Sequence, residues 1–160
     1  MHEILPLVRA RWPEARFTIV GSSPTRAVER LAEVAGVRVT GFVPDTRSEL
    51  ARAAVAVAPL RIARGIQNKV LEALAMGLPV VGTTPATQGV EGEAGRDFQV
   101  ADDAASFAAR VVELLERPDE ARALGQRGRA FVERQYDWEN VLAPLEPLLE
   151  RCASARAKSG

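Results

Sequence analysis

The stretch AVAVAPLRIARGIQNKVLEALAMGLPVVG, residues 54–82, holds two short apolar runs separated by a helical pattern. The first run ends at Pro59 and the second at Gly82, and each has the length of a buried strand. Residues 68–76 between them have the apolar spacing of a helix, and Gly77 is placed to terminate it. A strand can pair in parallel with the strand before it only after a crossover, so this stretch predicts a βαβ unit.

The same alternation continues on both sides of this unit. Further short strands are predicted at 17–20, 37–40 and 98–100, and helices at the N-terminus and at 24–35, 46–52, 102–116, 118–135 and 138–151. Ser23 and Asp137 are candidate N-caps, and Thr46 to Glu49 has capping-box spacing. The pattern predicts the α/β class, with a Rossmann-like parallel sheet flanked by helices.

Composition narrows the class of protein. A chain of 160 residues with 47% apolar and 26% charged residues suits one folded domain. The 21 basic and 21 acidic residues cancel, which argues against a nucleic-acid-binding surface. Cys152 is the single cysteine and His2 the single histidine, which excludes a disulfide framework, a cysteine- or histidine-based metal site and a Ser-His-Asp triad within the chain. Without an apolar run of about 20 residues or a signal peptide, a soluble cytoplasmic domain is expected.

Ligands of open parallel sheets bind at the carboxyl ends of the strands, where three loops qualify: 21–24, 41–45 and 59–69. The third loop places Arg61, Arg64 and Lys69 around a glycine at the start of a helix, where free N–H groups and a partial positive charge favour an anion. This loop predicts a phosphate site. The alternative is that the three cations are ordinary solvated charges.

Glu72 lies one helical turn after Lys69. Its carboxylate is suited to accept hydrogen bonds from sugar hydroxyls, and the alternative is a surface glutamate paired with Lys69. GxGxxG and GxxxxGKS are both absent, which disfavours a dinucleotide site and a nucleotide triphosphatase. Acidic residues do not gather after the strands, which disfavours a response-regulator receiver.

Residues 65–81, GIQNKVLEALAMGLPVV, resemble the donor-binding C-terminal domain of the retaining glycosyltransferases of group 1, or family 4, which have the GT-B fold. The pieces FTIVG at 17–21, VTGFV at 39–43 and VAVAPL at 55–60 stand in the family's order, and the match runs from about residue 4 to 150. The Gly-Ile-Gln-Asn-Lys form looks most like sugar transferases of bacterial exopolysaccharide clusters.

The resemblance implies a role for each matching position. Glu72 corresponds to the glutamate that binds the nucleotide ribose, residues 65–69 to the loop and helix start around the diphosphate, and residues 41–43 to a region bordering the base. A first family glutamate, eight positions earlier, is replaced here by Arg64. The residues expected to bind the nucleotide sugar are Gly21, Phe42, Val43, Arg61, Arg64, Gly65, Ile66, Gln67, Asn68, Lys69 and Glu72.

The resemblance also implies that this chain corresponds to only one part of a larger enzyme. Residues 1–152 are expected to be an N-terminally truncated donor domain, half of a GT-B fold without its central first strand, and 153–160 a frayed tail. The parent enzyme, a hexosyltransferase that is cytoplasmic or else peripheral at the inner membrane, would pass a glycosyl group from a UDP- or GDP-sugar to a lipid-linked or polysaccharide acceptor without a metal or cofactor. Its acceptor-side catalytic residues lie outside this chain, which is expected to be inactive alone. The alternatives are a non-catalytic module with the same fold, or another nucleotide-binding α/β protein.

Overall fold

The computed structural model describes residues 2–149 and 151, so Cys152 and the predicted tail 153–160 lie outside the described residues. The elements are α1 Ile4–Arg11, β1 Phe17–Ile19, α2 Arg26–Glu29, β2 Val37–Val39, α3 Arg47–Leu50, β3 Ala56–Ala58, α4 Asn68–Ala75, β4 Val80–Gly82, α5 Thr84–Thr87, β5 Gln99–Val100, α6 Ala104–Glu116, α7 Pro118–Gln135 and α8 Trp138–Leu142, with 3₁₀ turns at Arg30–Glu33 and Ala143–Leu145.

All the strands pair in parallel, as predicted, but they form two sheets in place of one. The first sheet contains β1 and β2, with Phe17 beside Val37. The second has the order β3-β4-β5, with Ala56 beside Val80 and Val81 beside Gln99. Among the described residues no strand pairing joins β1 to β3.

The second sheet is buried on both faces, as a parallel sheet between helices should be. Val80 packs with residues of α4 and α7, whereas the next residue, Val81, packs with α1, α6 and α7 on the other face. Both valines are almost completely buried. Leu74 of α4 lies in the same core cluster as Val80, and Phe107 of α6 lies in the same cluster as Val81. Strand periodicity therefore explains why one short apolar run supplies both halves of the core.

Two predicted helix starts differ from the structure. Ser23 has a positive φ of 51° and lies before the helix, whose N-cap is Thr25. Thr46 occupies the N-cap of α3 without a side-chain capping bond, so the predicted capping box does not form. Glu49, the glutamate of the predicted capping box, forms an ion pair with Arg38 of β2 instead.

The predicted last helix is interrupted. α8 ends at Leu142, the 3₁₀ turn Ala143–Leu145 follows, and residues 146–149 are helical again. Asp137 occupies the predicted N-cap with extended backbone, but its side chain makes no capping bond. Within the described residues, no helix combines the length and the apolar character that crossing a membrane requires.

Candidate functional site

The loop from β3 ends in an uncapped helix start. Gly65 has a φ of +65°, a left-handed conformation that glycine adopts without steric cost. Gln67 is the N-cap of α4, and its carbonyl accepts the N–H groups of Val70 and Leu71. The Gln67 side chain turns back, with Nε2 donating to the carbonyls of Arg64 at 3.1 Å and Gly65 at 3.3 Å. The first N–H groups of α4 are left for an external acceptor such as a phosphate oxygen.

The three predicted cations divide into one that is paired and two that are not. The guanidinium of Arg61 lies 3.3 Å from the carboxylate of Glu3. Arg64 and Lys69 are exposed, and their side chains make no ion pair or hydrogen bond with any described residue. Their charge is therefore available to an anionic ligand at the start of α4.

Glu72 is also exposed and lies on the same helix, one turn beyond Lys69. Within residues 2–149 and 151 there is no ion pair between Glu72 and Lys69, so the predicted alternative of a surface salt bridge is not formed. Its neighbours Val70 and Ala73 are buried against the sheet, which fixes the helix face that Glu72 presents. The carboxylate is free to accept hydrogen bonds from hydroxyl groups.

The segment that begins at Thr83, directly after β4, is hydrogen-bonded to the loop 59–69. The sequence did not predict this contact. The Thr83 hydroxyl donates to the Leu60 carbonyl at 2.6 Å, and the Thr83 backbone N–H donates to the Ala58 carbonyl at 3.2 Å. Gln88 donates through Nε2 to the Ala63 carbonyl at 3.4 Å. The loop backbone is thus held at several points by the neighbouring strand's continuation.

Gly89 also lies directly against this loop. A Cβ at this position would lie 2.7 Å from the Gly65 carbonyl oxygen and 3.1 Å from the Ile66 Cα. Only glycine fits there without moving the loop 59–69. A signal was present in the sequence, since β3 and β4 were predicted as consecutive parallel strands, whose carboxyl ends lie side by side.

The remaining predicted residues lie at the carboxyl ends of the first sheet. Gly21 follows β1 and has open space around its Cα. Phe42 follows β2 and is 75% exposed, while Val43 is half-buried. The structure therefore gathers residues 61–72 in one place and leaves these three on the separate β1–β2 sheet. An exposed aromatic ring at such an edge offers a flat apolar surface for a planar ligand.

Two carboxylates at the same ends of the strands are already engaged. Hydrogen bonds from the Thr84 backbone N–H and hydroxyl lower the pKa of Asp102, which follows β5. The side chain and backbone N–H of Arg47 lower the pKa of Asp45, which follows β2. In the described part of the chain, no cluster of three histidine, cysteine or acidic residues is arranged to hold a metal ion.

The fold is an α/β fold in which parallel strands lead to an uncapped helix start flanked by cations. Residues 1–117 match the family described as glycosyl transferases group 1, and the chain belongs to this family. It is 33% identical over 147 residues to a phosphatidyl-myo-inositol mannosyltransferase of Propionibacterium freudenreichii, covering 88% of this chain and 36% of the relative. It is 31% identical over 159 residues to a GDP-mannose-dependent monoacylated alpha-(1-6)-phosphatidylinositol monomannoside mannosyltransferase of Corynebacterium glutamicum, covering 91% of this chain and 42% of the relative.

Solved structures confirm the fold. Sucrose-phosphate synthase from Thermosynechococcus elongatus superposes with a TM-score of 0.78 at 24% identity, covering 96% of this chain and 42% of that chain. Anabaena HepE in complex with UDP-glucose superposes with a TM-score of 0.76 at 15% identity, covering 96% of this chain and 45% of that chain. The predicted Rossmann-like α/β fold of the GT-B class is confirmed. The chain spans about two fifths of the length of these curated relatives, 36% and 42%.

Proposed function

We propose that this chain is the nucleotide-diphosphate-sugar-binding half of a retaining glycosyltransferase. The observation that carries the proposal is the uncapped start of α4, with Arg64 and Lys69 unpaired beside it among the described residues and Gly65 in a left-handed turn. Free backbone N–H groups, the helix dipole and two cations together favour a dianionic diphosphate.

The donor is a nucleoside-diphosphate sugar of the UDP or GDP type. Support comes from the GDP-mannose-dependent relative and from the structural neighbour that binds UDP-glucose. Glu72 accepts hydrogen bonds from the ribose hydroxyls, and Phe42 and Val43 border the base. Gln67, Asn68 and Ile66 line the loop around the diphosphate, with Gly21 at the end of β1.

The chemistry assigned to this half is stabilisation of the leaving group. As the glycosidic bond to the diphosphate breaks, negative charge grows on the phosphate oxygens, and Arg64 and Lys69 neutralise it without a metal ion. The glycosyl group passes with retention to a lipid-linked or polysaccharide acceptor in bacterial surface glycan or exopolysaccharide synthesis. The acceptor is held by a part of the parent enzyme other than this donor-binding half, and the parent enzyme works in the cytoplasm or peripherally at the inner membrane.

Titration calorimetry with UDP and GDP tests this proposal on the protein and on its Arg64→Ala and Lys69→Ala variants. Each lost charge-assisted contact is worth about 1.5–3 kcal/mol, so Kd is expected to rise roughly ten- to a hundredfold in each variant. Arg16→Ala is the matched control, because Arg16 is an exposed arginine before β1, at the opposite end of that strand from its ligand-binding loop. Unchanged Kd in both site variants, or binding of NAD or ATP and no nucleoside diphosphate, would overturn the proposal.

A further inference from the structure

The loop 59–69 and the chain on either side of it carry basic residues without acidic ones. From Leu50 to Leu71 the sequence contains four arginine or lysine residues and no aspartate or glutamate. The segment 83–90, which is hydrogen-bonded to this loop, contains no charged residue. Arg64 therefore has no acidic neighbour in the loop or in the segment that contacts the loop.

The backbone carbonyls around Arg64 already accept hydrogen bonds. Gln88 Nε2 donates to the Ala63 carbonyl at 3.4 Å. Gln67 Nε2 donates at 3.1 Å and 3.3 Å to the next two carbonyls, those of Arg64 and Gly65. Three successive oxygens, whose partial negative charge would oppose an anion, are thus engaged within the protein. The same bonds fix the backbone that carries Arg64, whereas its exposed side chain has no ion pair or hydrogen bond with any described residue.

Lys69 and Glu72 indicate how a ligand is oriented along α4. They lie three residues apart on the exposed face of the helix, whereas Val70 and Ala73 are buried. Helix side chains lean towards the N-terminus, so both charged groups reach towards the start of α4. In the proposed function, on which this inference rests, the ribose lies at Glu72 and the diphosphate at the helix start. The glycosyl group then lies beyond the helix start, where the chain continues into Arg64.

The free polar groups at this end of the site are donors rather than acceptors. The hydroxyl groups of a neutral hexose donate hydrogen bonds as well as accept them. The loop offers them no carboxylate, and its carbonyls at residues 63–65 are engaged. The guanidinium of Arg64, by contrast, has five N–H donors in a planar fork. One edge of this fork can contact a phosphate oxygen while the other pairs with a carboxylate through two parallel hydrogen bonds.

We propose that the donor is a nucleoside-diphosphate hexuronate, a sugar nucleotide whose glycosyl group carries a carboxylate, and that Arg64 binds this carboxylate. Lys69 and the start of α4 hold the diphosphate, and Arg64 determines which glycosyl group is accepted. Arg61 does not take this role, because its guanidinium is paired with Glu3. The donor thus differs in charge from GDP-mannose, the donor named for the relative from Corynebacterium glutamicum.

Titration calorimetry with two matched pairs of donors tests this specificity: UDP-glucose with UDP-glucuronate, and GDP-mannose with GDP-mannuronate. The members of each pair share the base, the diphosphate and the sugar ring, and they differ only in a hydroxymethyl or a carboxylate group at carbon 6. For the base that the protein binds, the hexuronate is expected to have a Kd about tenfold lower than that of the hexose, because it gains a charge-assisted pair with Arg64.

Variants of Arg64 and Lys69 separate a direct contact from the overall positive charge of the loop. Arg64→Ala is expected to bind the hexuronate and the hexose with Kd values within about twofold of each other, because the carboxylate loses its partner. Lys69→Ala is the matched control. It removes a cation that holds the diphosphate, so both Kd values should rise together and their tenfold ratio should persist. Arg64→Lys keeps the charge but loses the fork, and its ratio is expected to fall between the two.

UDP and GDP alone distinguish a failure of this inference from a failure of the proposed function. If one of them binds and the hexose of its pair binds as tightly as the hexuronate, the inference is wrong and the proposed function stands. A ratio that falls equally in Arg64→Ala and Lys69→Ala would also overturn it, because the preference would then come from the charge of the whole loop. If neither nucleoside diphosphate binds, both are wrong.

Discussion

At the scale of single residues, the question for Glu72 is whether it binds the nucleotide ribose or is an ordinary surface glutamate. Among the described residues its carboxylate has no ion pair with Lys69, so an exposed position one turn into α4 carries a free acceptor. If it accepts hydrogen bonds from both ribose hydroxyls, Glu72→Gln loses one acceptor oxygen and the charge. We expect the variant to bind the nucleoside diphosphate about tenfold more weakly in calorimetry.

A 2′-deoxy nucleotide completes a double-mutant cycle for Glu72. The wild-type protein is expected to bind the deoxy analogue poorly, because the carboxylate loses a partner, and Glu72→Gln is expected to penalise it much less. The coupling is the decisive measurement. Equal penalties in the two proteins would contradict the ribose role even if the variant bound every nucleotide weakly.

Gly89 is a candidate positioning residue, because it lies against the backbone of Gly65 and Ile66 in the loop 59–69. The Cβ of Gly89→Ala would lie 2.7 Å from the Gly65 carbonyl oxygen, so the loop must move away from α5 and its continuation. We expect about a tenfold rise in Kd for the nucleoside diphosphate, as an overpacked contact costs about 1–3 kcal/mol and part of that appears in binding.

The neighbouring variant Gln88→Ala is the control for Gly89→Ala. It removes a 3.4 Å hydrogen bond to the Ala63 carbonyl but introduces no overlap, so its Kd is expected to stay within about threefold of the wild-type value. A Gly89→Ala protein with wild-type affinity would show that the loop position tolerates displacement.

At the scale of helices and strands, α6 and α8 start on chemically identical residues with different contacts. Asp103 accepts hydrogen bonds from the Ala105 and Ser106 N–H groups at 3.0 and 2.9 Å, whereas the Asp137 side chain makes no capping bond. We expect Asp103→Ala to lower Tm by several degrees at neutral pH and Asp137→Ala to have a smaller effect. Equal losses would show that the observed capping bonds do not decide the stability of α6.

The pH dependence of this capping contribution has a defined sign. Hydrogen bonds from the Ser106 side chain and backbone, followed by Ala105, lower the pKa of Asp103. A carboxylate whose pKa is lowered in the folded state stabilises the fold at pH values above its ordinary pKa. That stabilisation is lost as the pH falls through the lowered pKa. The difference in Tm between wild type and Asp103→Ala should therefore shrink in strongly acidic buffer and stay constant from pH 6 to about 8.

Local sequence signals were reliable where one element decides the outcome. The helix at residues 68–75 and its termination at Gly77, which has a φ of +71°, follow from apolar spacing and a left-handed glycine. The capping box does not form because Arg38 of β2, eleven residues before Glu49, pairs with the Glu49 carboxylate. A partner from another element is invisible to a four-residue pattern.

In the candidate site too, the sequence predicted local structure but not contacts between distant residues. Spacing was enough to place Arg64 and Lys69 around the start of α4, but it did not show that Arg61 pairs with Glu3, 58 residues away. The support from Thr83 and Gly89 likewise depends on which strands are neighbours. The lateral order of strands, and hence the contacts between their loops, is set by packing of the whole domain.

At the scale of the whole molecule, α1 is one of the elements that connect the β1–β2 sheet to the rest of the domain. This helix packs along α6 and shares a core cluster with β3 and β4, while Arg9 connects it to both strands of the first sheet. Arg9 donates from Nε to the Ala15 carbonyl at 3.1 Å and from a terminal guanidinium nitrogen to the Ala35 carbonyl at 2.6 Å. These carbonyls lie just before β1 and β2.

Arg9→Ala is therefore expected to loosen the first sheet selectively. Hydrogen bonds from a charged donor contribute about 1.5–3 kcal/mol, so the Phe17 and Thr40 amides of the β1–β2 ladder should exchange roughly tenfold faster or more in native-state hydrogen exchange. Arg11→Ala on the same helix is the matched control, because it removes only an exposed ion pair with Glu116, a class of contact worth little. If the amides of β4 exchanged faster by the same factor, Arg9 would stabilise the domain as one cooperative unit. That result would contradict the prediction that Arg9→Ala loosens the β1–β2 sheet selectively.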